Sequence, residues 1–173
     1  MGGVRSIAAV ITIICLTSVA AMGFESMTAA IRVSNDSLYD YVIIGEHPKA
    51  TDGYDNAYDT ISPGNLNADM GQPFISAVIA HPDWKPAIRE LRGDIRSMAQ
   101  RQEWQLVITS SLPKGTPLDV ALQADRTTLP KGVKLTLKDE TAKKETNLKA
   151  GNFIIPAPEP GTPTKLLVIA EQP

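Results

Sequence analysis

Hydrophobic and polar positions alternate with a period of two along most of this chain. That pattern, sustained over four to eight residues, is typical of β-strands that bury one face. The alternation is cleanest in LDVALQA, where Leu118, Val120 and Leu122 share a face, and in WQLVIT, where it places Trp104 in the core. Eight runs, some of them alternating and some of them continuous apolar stretches, predict strands, at residues 40–45, 74–80, 89–98, 104–109, 118–124, 133–138, 153–155 and 165–170.

Turn-forming residues separate these runs. Two LPKG segments, at 112–115 and 129–132, combine a proline that fixes φ with a glycine free to adopt positive φ. Only Trp84 to Arg101 has room for a helical piece, and Gly93 within it disfavours one long helix. The pattern therefore predicts an all-β protein. We expect an antiparallel β-sandwich, Ig-like or jelly-roll-like, of about eight to nine strands and with room for one short helix.

The N-terminal segment has the layout of a secretory signal peptide. Arg5 gives a short n-region its positive charge, residues 6–19 are apolar and uncharged, and small residues follow. The apolar run is shorter than the roughly 20 residues of a membrane-spanning helix, and an uncleaved anchor is the alternative. We expect cleavage after residue 20, 21 or 23, with a second candidate after residue 30. The predicted organisation is a signal peptide at 1–23, an N-terminal lead at 24–38 and one domain at 39–173.

Composition and motifs narrow the classes of function. Cys15 is the only cysteine and lies in the predicted signal, so the exported chain would have neither a disulfide nor a thiolate. Loss of Arg5 changes the formal net charge from −2 to −3, which leaves no basic field to attract nucleic acid. His47 and His81 lack the paired spacing of zinc ligands, and no nucleophile elbow or phosphate loop is present in the sequence. We therefore predict a protein that is not an enzyme and has no cofactor, calcium excepted.

The stretch ATDGYDNAYD, residues 50–59, leaves three alternatives open. Asp52, Asp55 and Asp59 supply hard oxygen ligands of the kind that calcium prefers, although their spacing lacks the alternate-residue rhythm of an EF-hand loop. Aspartates around a glycine also form ordinary turns by bonding their own backbone. In the third alternative, Asp55 or Asp59 forms an ion pair with Arg96 on the predicted strand 89–98 and so fixes the loop to the sheet.

Aromatic residues in loops suggest a second kind of site. Trp84, in the turn-rich segment HPDWKP, could stack on a sugar ring, and Tyr54 and Tyr58 of the acidic stretch could assist it. Packing of these rings at the end of the sheet is the alternative. Aromatic residues make up 5% of the chain, which disfavours a broad carbohydrate-binding platform.

The order of three motifs resembles a known module. The motifs are IIG followed by ATDGYDNAYD, then LRGDIR followed by EWQLVI, and then LPKGVKLTLKD. Together they resemble an Ig-like β-sandwich module of secreted and cell-surface proteins of anaerobic bacteria and archaea, over most of residues 40–155. The resemblance implies no catalytic activity, because none is assigned to that family.

These inferences combine into one functional hypothesis. We expect a non-catalytic extracellular module, a structural or interaction subunit of a surface or secreted assembly. Its partners would be other extracellular or surface proteins, or further copies of itself, and not nucleic acid. The strand-like run at 165–170 is the candidate edge for strand addition. The alternative is a carbohydrate-binding module that recognises polysaccharide and is stabilised by calcium.

Overall fold

The structure, a computed structural model, describes residues 23–36, 38–84, 88 and 90–173. The predicted signal peptide lies outside these residues except for Gly23. No helix in the described residues is long and apolar enough to cross a membrane. The regular elements are β1 (Met27–Asn35), β2 (Leu38–Glu46), β3 (Thr60–Ile61), α1 (Leu66–Asp69), β4 (Ile75–Ala80), β5 (Glu90–Arg96), β6 (Arg101–Ser110), β7 (Pro117–Leu122), a 3-10 turn (Ala124–Arg126), β8 (Lys134–Asp139), β9 (Lys144–Asn147), β10 (Phe153–Pro156) and β11 (Thr164–Glu171).

All eleven strands belong to one sheet, in the order β10-β7-β1-β2-β5-β4-β6-β11-β8-β9, with β3 paired to β5 off this path. Neighbouring strands are antiparallel except β2 and β5, which run parallel. The sheet curls into a nearly closed barrel whose end strands are β9 and β10. The all-β class is therefore confirmed. The predicted count of eight to nine strands is wrong, and a separate two-sheet sandwich is not confirmed.

Strand β5 changes its neighbouring strand along its length, from β4 to β2. Leu91 pairs with Ile79 of β4, and two residues later Gly93 pairs with Ile43 of β2. The carboxylate of Asp40 on β2 spans the junction between β2 and β4. It accepts a hydrogen bond from the amide of Ala77 on β4 (2.9 Å) and pairs with Arg92 of β5. A backbone donor that has no ladder partner at this corner is thereby satisfied.

Three of the eleven strands are absent from the eight predicted runs. The sequence MTAAIRVSN of β1 alternates well and buries Met27, Ala29, Ile31 and Val33, but it falls in residues 24–38, which we assigned to a lead. It pairs with β2 along its whole length and with β7. Strand β3 has two residues, and β9 is the charged run KETN, so neither shows a hydrophobic period.

The inward faces of the strands form one hydrophobic core. Trp104 is fully buried in it, as predicted. Burial of a large apolar side chain contributes roughly 1.5–3 kcal/mol. Both LPKG turns are confirmed, because Gly115 and Gly132 adopt φ of 85° and 92°. The described residues of the 84–101 segment form strands and connections, without a helix.

Candidate functional site

The acidic stretch forms a compact turn between β2 and β3. The carbonyl oxygen of Asp55 accepts hydrogen bonds from the amides of Tyr58 (3.0 Å) and Asp59 (2.7 Å). The side chain of Asp55 accepts from the amide of Ala57 (3.0 Å), and that of Asp59 accepts from the amide of Asp55 (2.7 Å). The two aspartates therefore build the turn through their own backbone, as short polar side chains do in tight turns.

Backbone amides of β5 and the residue after it anchor this loop to the sheet. The second carboxylate oxygen of Asp59, which is 8% exposed, accepts a hydrogen bond from the amide of Ile95 (3.0 Å). Asp52 accepts from both the amide (3.3 Å) and the hydroxyl (2.6 Å) of Ser97, and from the side chain of Gln102 (3.2 Å). The hydrogen bond from the Ser97 hydroxyl, more than any other contact, lowers the pKa of Asp52.

The predicted ion pair between this loop and Arg96 does not form. Arg96 pairs instead with Asp94, two residues earlier on its own strand (3.2 Å). The loop is fixed to β5, as the hypothesis required, but by neutral amide donors, which β5 offers on the side away from β2. Both carboxylate oxygens of Asp59 and one of Asp55 already accept hydrogen bonds from backbone amides, so the loop is held without a guanidinium.

The predicted calcium site of Asp52, Asp55 and Asp59 is not assembled. Within residues 23–36, 38–84, 88 and 90–173, no three side chains of His, Cys, Asp or Glu come together as a metal site. The physical reason is that each of the three carboxylates accepts hydrogen bonds from amides or hydroxyls at a different place. Calcium requires six to eight oxygens around one point.

Asp94 is the centre of a buried polar cluster. The same carboxylate oxygen contacts Nε2 of His81 (2.8 Å) and both Nε (3.3 Å) and Nη2 (3.2 Å) of Arg96. Asp94 is 1% exposed, so contacts with His81 and Arg96 replace those with water around its carboxylate. Arg96 also lies over the ring of Trp104, with its guanidinium carbon 5.4 Å from the ring centre.

The three aromatic residues predicted to stack on a ligand have partners within the protein. Trp84 stacks on His81, with ring centres 3.6 Å apart and planes within 10°. Tyr58 stacks on His47 at 4.7 Å. The hydroxyl of Tyr54 donates to Asn56 (3.1 Å), and its ring packs against the core. Trp84 still borders a pocket of about 290 Å³, whose wall includes the His81 and Arg96 side chains.

A second buried acid ties the two ends of the described chain together. Glu46, 1% exposed, accepts a hydrogen bond from the side-chain amide of Gln172. Gln172 also exchanges two hydrogen bonds with the backbone of Glu25, at 2.9 and 3.0 Å. Burial raises the pKa of Glu46, and it raises the pKa of Asp59 in the same way.

The outer face of β10, β7, β1 and β2 carries a surface that sequence reasoning missed. We call it the tyrosine–arginine face and define it by four residues: Arg32, Tyr39, Tyr41 and Arg126. The guanidinium of Arg32 lies 4.3 Å from the ring centre of Tyr39. That of Arg126, on the 3-10 turn, lies 4.4 Å from the ring centre of Tyr41.

The two most exposed large side chains of this sheet region occupy one row of that outer face. Tyr39 is 56% exposed and Ile154 is 67% exposed. The strand register places Tyr39 beside Ser34, Ser34 beside Asp119, and Asp119 beside Ile154. A period-two pattern could have shown the tyrosines, because Tyr39 and Tyr41 are two residues apart. The cross-strand arginines could not be found without the register.

Comparison of the whole chain with protein-family models, with curated protein sequences and with solved structures finds no match.

Proposed function

We propose that this protein is a non-catalytic extracellular interaction module, a subunit of a surface or secreted assembly that contacts its partner through the tyrosine–arginine face. The observation that carries the proposal is a 56% exposed tyrosine in the regular part of a sheet, flanked by arginine. Tyrosine and arginine are enriched at the centres of protein interfaces, whereas lysine and glutamate are depleted there. At the cross-strand pairs whose side chains point to this outer face, the four strands β10, β7, β1 and β2 contain neither lysine nor glutamate.

Strand addition receives less support than a face contact. The expected edge at 165–170 belongs to β11, which is paired on both sides by β6 and β8, so that expectation is wrong. The end strand β10 contains Pro156. The amide of Ala157 donates towards β7, and main-chain groups alternate in direction along a strand, so those of Ile154 and Pro156 point to the free edge of the sheet. Pro156 has no N–H to offer to an added strand there. At the other end of the sheet, the charged side chains of β9 disfavour the addition of a further strand.

The polar clusters elsewhere support a non-catalytic role. His81, Asp94 and Arg96 satisfy one another, and the aspartates of the 50–59 loop hold that loop in place. Each group that could attract a ligand by its charge is used there to position the chain. The Ig-like classification and export through a signal peptide belong to the same proposal.

The test is site-specific photo-crosslinking in the cell that exports the protein. A photoreactive phenylalanine derivative replaces Tyr39, which keeps a ring at that position, and separately replaces Lys165, an exposed residue of β11. We expect one discrete cross-linked protein species from position 39 and none from position 165.

Equal products from both positions, or no product from position 39, would contradict the proposal. Unchanged melting temperatures of the two purified variants are the control that both have folded.

A further inference from the structure

The arginines that the structure describes divide into two groups according to their partners. In the described part of the chain, Arg92, Arg96 and Arg101 each form an ion pair with a carboxylate. Arg32 and Arg126 form neither an ion pair nor a side-chain hydrogen bond to any described residue. Both of these unpaired guanidiniums lie on the tyrosine–arginine face.

The rings hold these two guanidiniums in position. A guanidinium stacked on a tyrosine face loses rotational freedom but keeps its N–H donors, which point along its edge and not into the ring. The Nε of Arg32 is buried and has no hydrogen-bond partner. An unsatisfied buried donor costs free energy. Because that nitrogen is closed to solvent, a partner's carboxylate would bind the terminal N–H groups at the outer edge of the guanidinium.

We propose that the tyrosine–arginine face binds an acidic segment of a protein partner, with carboxylate side chains against Arg32 and Arg126. This inference rests on the proposed function and names the partner's chemistry. Side chains on one face of an extended segment recur about every 7 Å, which is also the spacing of Tyr39 and Tyr41 along β2. Exposed Ile154, at the other end of the row that contains Tyr39, favours a peptide, since it offers an apolar contact on the same outer face.

One acidic residue on this outer face opposes such a partner. Asp119 lies beside Ser34 in the row that joins Tyr39 to Ile154. One of its oxygens accepts a hydrogen bond from Asn152 (2.9 Å), and the other is buried without a partner. Its charge repels carboxylates, so its removal should strengthen binding.

The experiment measures the fluorescence anisotropy of a labelled peptide of alternating Glu and Ser. The peptide is titrated at low salt with the whole chain that follows the predicted signal peptide. We expect binding that weakens as salt is added. Arg32→Gln and Arg126→Gln should each raise Kd about tenfold, and Asp119→Asn should lower it. Arg126 is exposed, so its variant tests the proposal even if Arg32→Gln destabilises the fold.

The matched control is Arg101→Gln, which removes an exposed arginine of β6 away from this face and should leave Kd unchanged. A Gln–Ser peptide and a polyuronate glycan complete the set of probes. Preference for the polyuronate over the peptide would overturn the inference in favour of a glycan ligand. Absence of peptide binding while position 39 still cross-links would overturn it and leave the proposed function standing; loss of both would remove both.

Discussion

At the scale of single residues, amide donors rather than charges decide how the acidic loop is held. Asp59 joins two backbone amides, those of Asp55 and Ile95, which are 40 positions apart in sequence. Arg96 lies next to Ile95 on the same strand, and its guanidinium contacts Asp94 and Trp104. The donor to Asp59 is the main-chain N–H of Ile95, which points along the plane of the sheet towards the loop, whereas the side chain of Arg96 stands on the face of the strand that it shares with Asp94.

We predict that Asp59→Asn destabilises the protein by about 1–3 kcal/mol, because a side-chain amide leaves one of the two donors unsatisfied. Hydrogen exchange at the Ile95 amide should become faster in this variant. In Arg96→Met, exchange at the Ile95 amide should change only as far as the global free energy of unfolding does, since Arg96 pairs with Asp94 and does not hold the loop. Asp69→Asn, on the surface of α1, is the control and should change the free energy of unfolding by less than about 0.5 kcal/mol. Exchange at Ile95 that is faster in Arg96→Met than its loss of global stability explains would contradict the assignment.

At the scale of elements, β1 is the strand whose position most changes the interpretation. It lies between β2 and β7 in the sheet and supplies four apolar residues to the core. Thr28 exchanges backbone hydrogen bonds with Thr128, at 2.9 and 2.8 Å. Cleavage after residue 30 would remove this contact together with buried Met27 and Ala29, whereas cleavage up to residue 23 would leave β1 intact.

For the export proposed above, we predict a mature chain that begins no later than Phe24, and mass spectrometry of the protein recovered outside the cell checks this. A chain that begins at Ile31 should fail to fold, because loss of Met27 alone costs roughly 2–5 kcal/mol of a total near 5–15 kcal/mol. A chain that begins at Gly23 is the matched control. Equal melting temperatures of the two chains would show that the first residues of β1 contribute little to stability.

At the scale of the whole molecule, the contact of Gln172 with Glu25 and Glu46 joins the two ends of the described chain across 147 positions. The carboxylate of Glu46 is buried at this closure, and burial raises its pKa above the ordinary value of 4.5. The folded state therefore binds this proton more tightly than the unfolded state. Its contribution to stability is present below about pH 4.5 and is lost as pH rises through the folded pKa.

We predict that Glu46→Gln reduces this loss of stability with rising pH. The free energy of unfolding at neutral pH should therefore increase relative to its value in acid. Asp52→Asn should do the opposite, because hydrogen bonds lower the pKa of Asp52 below 3.8 and so stabilise the fold above that value, an advantage lost as pH falls. Urea unfolding from acid to neutral pH measures both. Parallel pH profiles for the two variants would contradict the opposite assignments.

Local chemistry determined much of this protein from sequence alone. The local hydrophobic pattern located eight of the eleven strands, all but β1, β3 and β9, and proline and glycine placed both LPKG turns, because strand faces and turn conformations depend on neighbouring residues. The two-residue β3 and the charged β9 were not predicted, because neither has a hydrophobic period. Strand β1 was missed because it directly follows the predicted signal peptide and was assigned to an N-terminal lead. One of three alternatives placed the loop of residues 50–59 against the 89–98 strand through Arg96; the loop does contact that strand, but through the amides of Ile95 and Ser97.

Tertiary structure alone decided which side chains meet. Register brings Arg32 to Tyr39 and Arg126 to Tyr41, and it sends Arg96 to Asp94 and away from Asp59. The continuity of the sheet through β5, which pairs first with β4 and then with β2, likewise joins residues far apart in the sequence. Such pairings depend on contacts between residues far apart in sequence, whose free energies no single segment encodes.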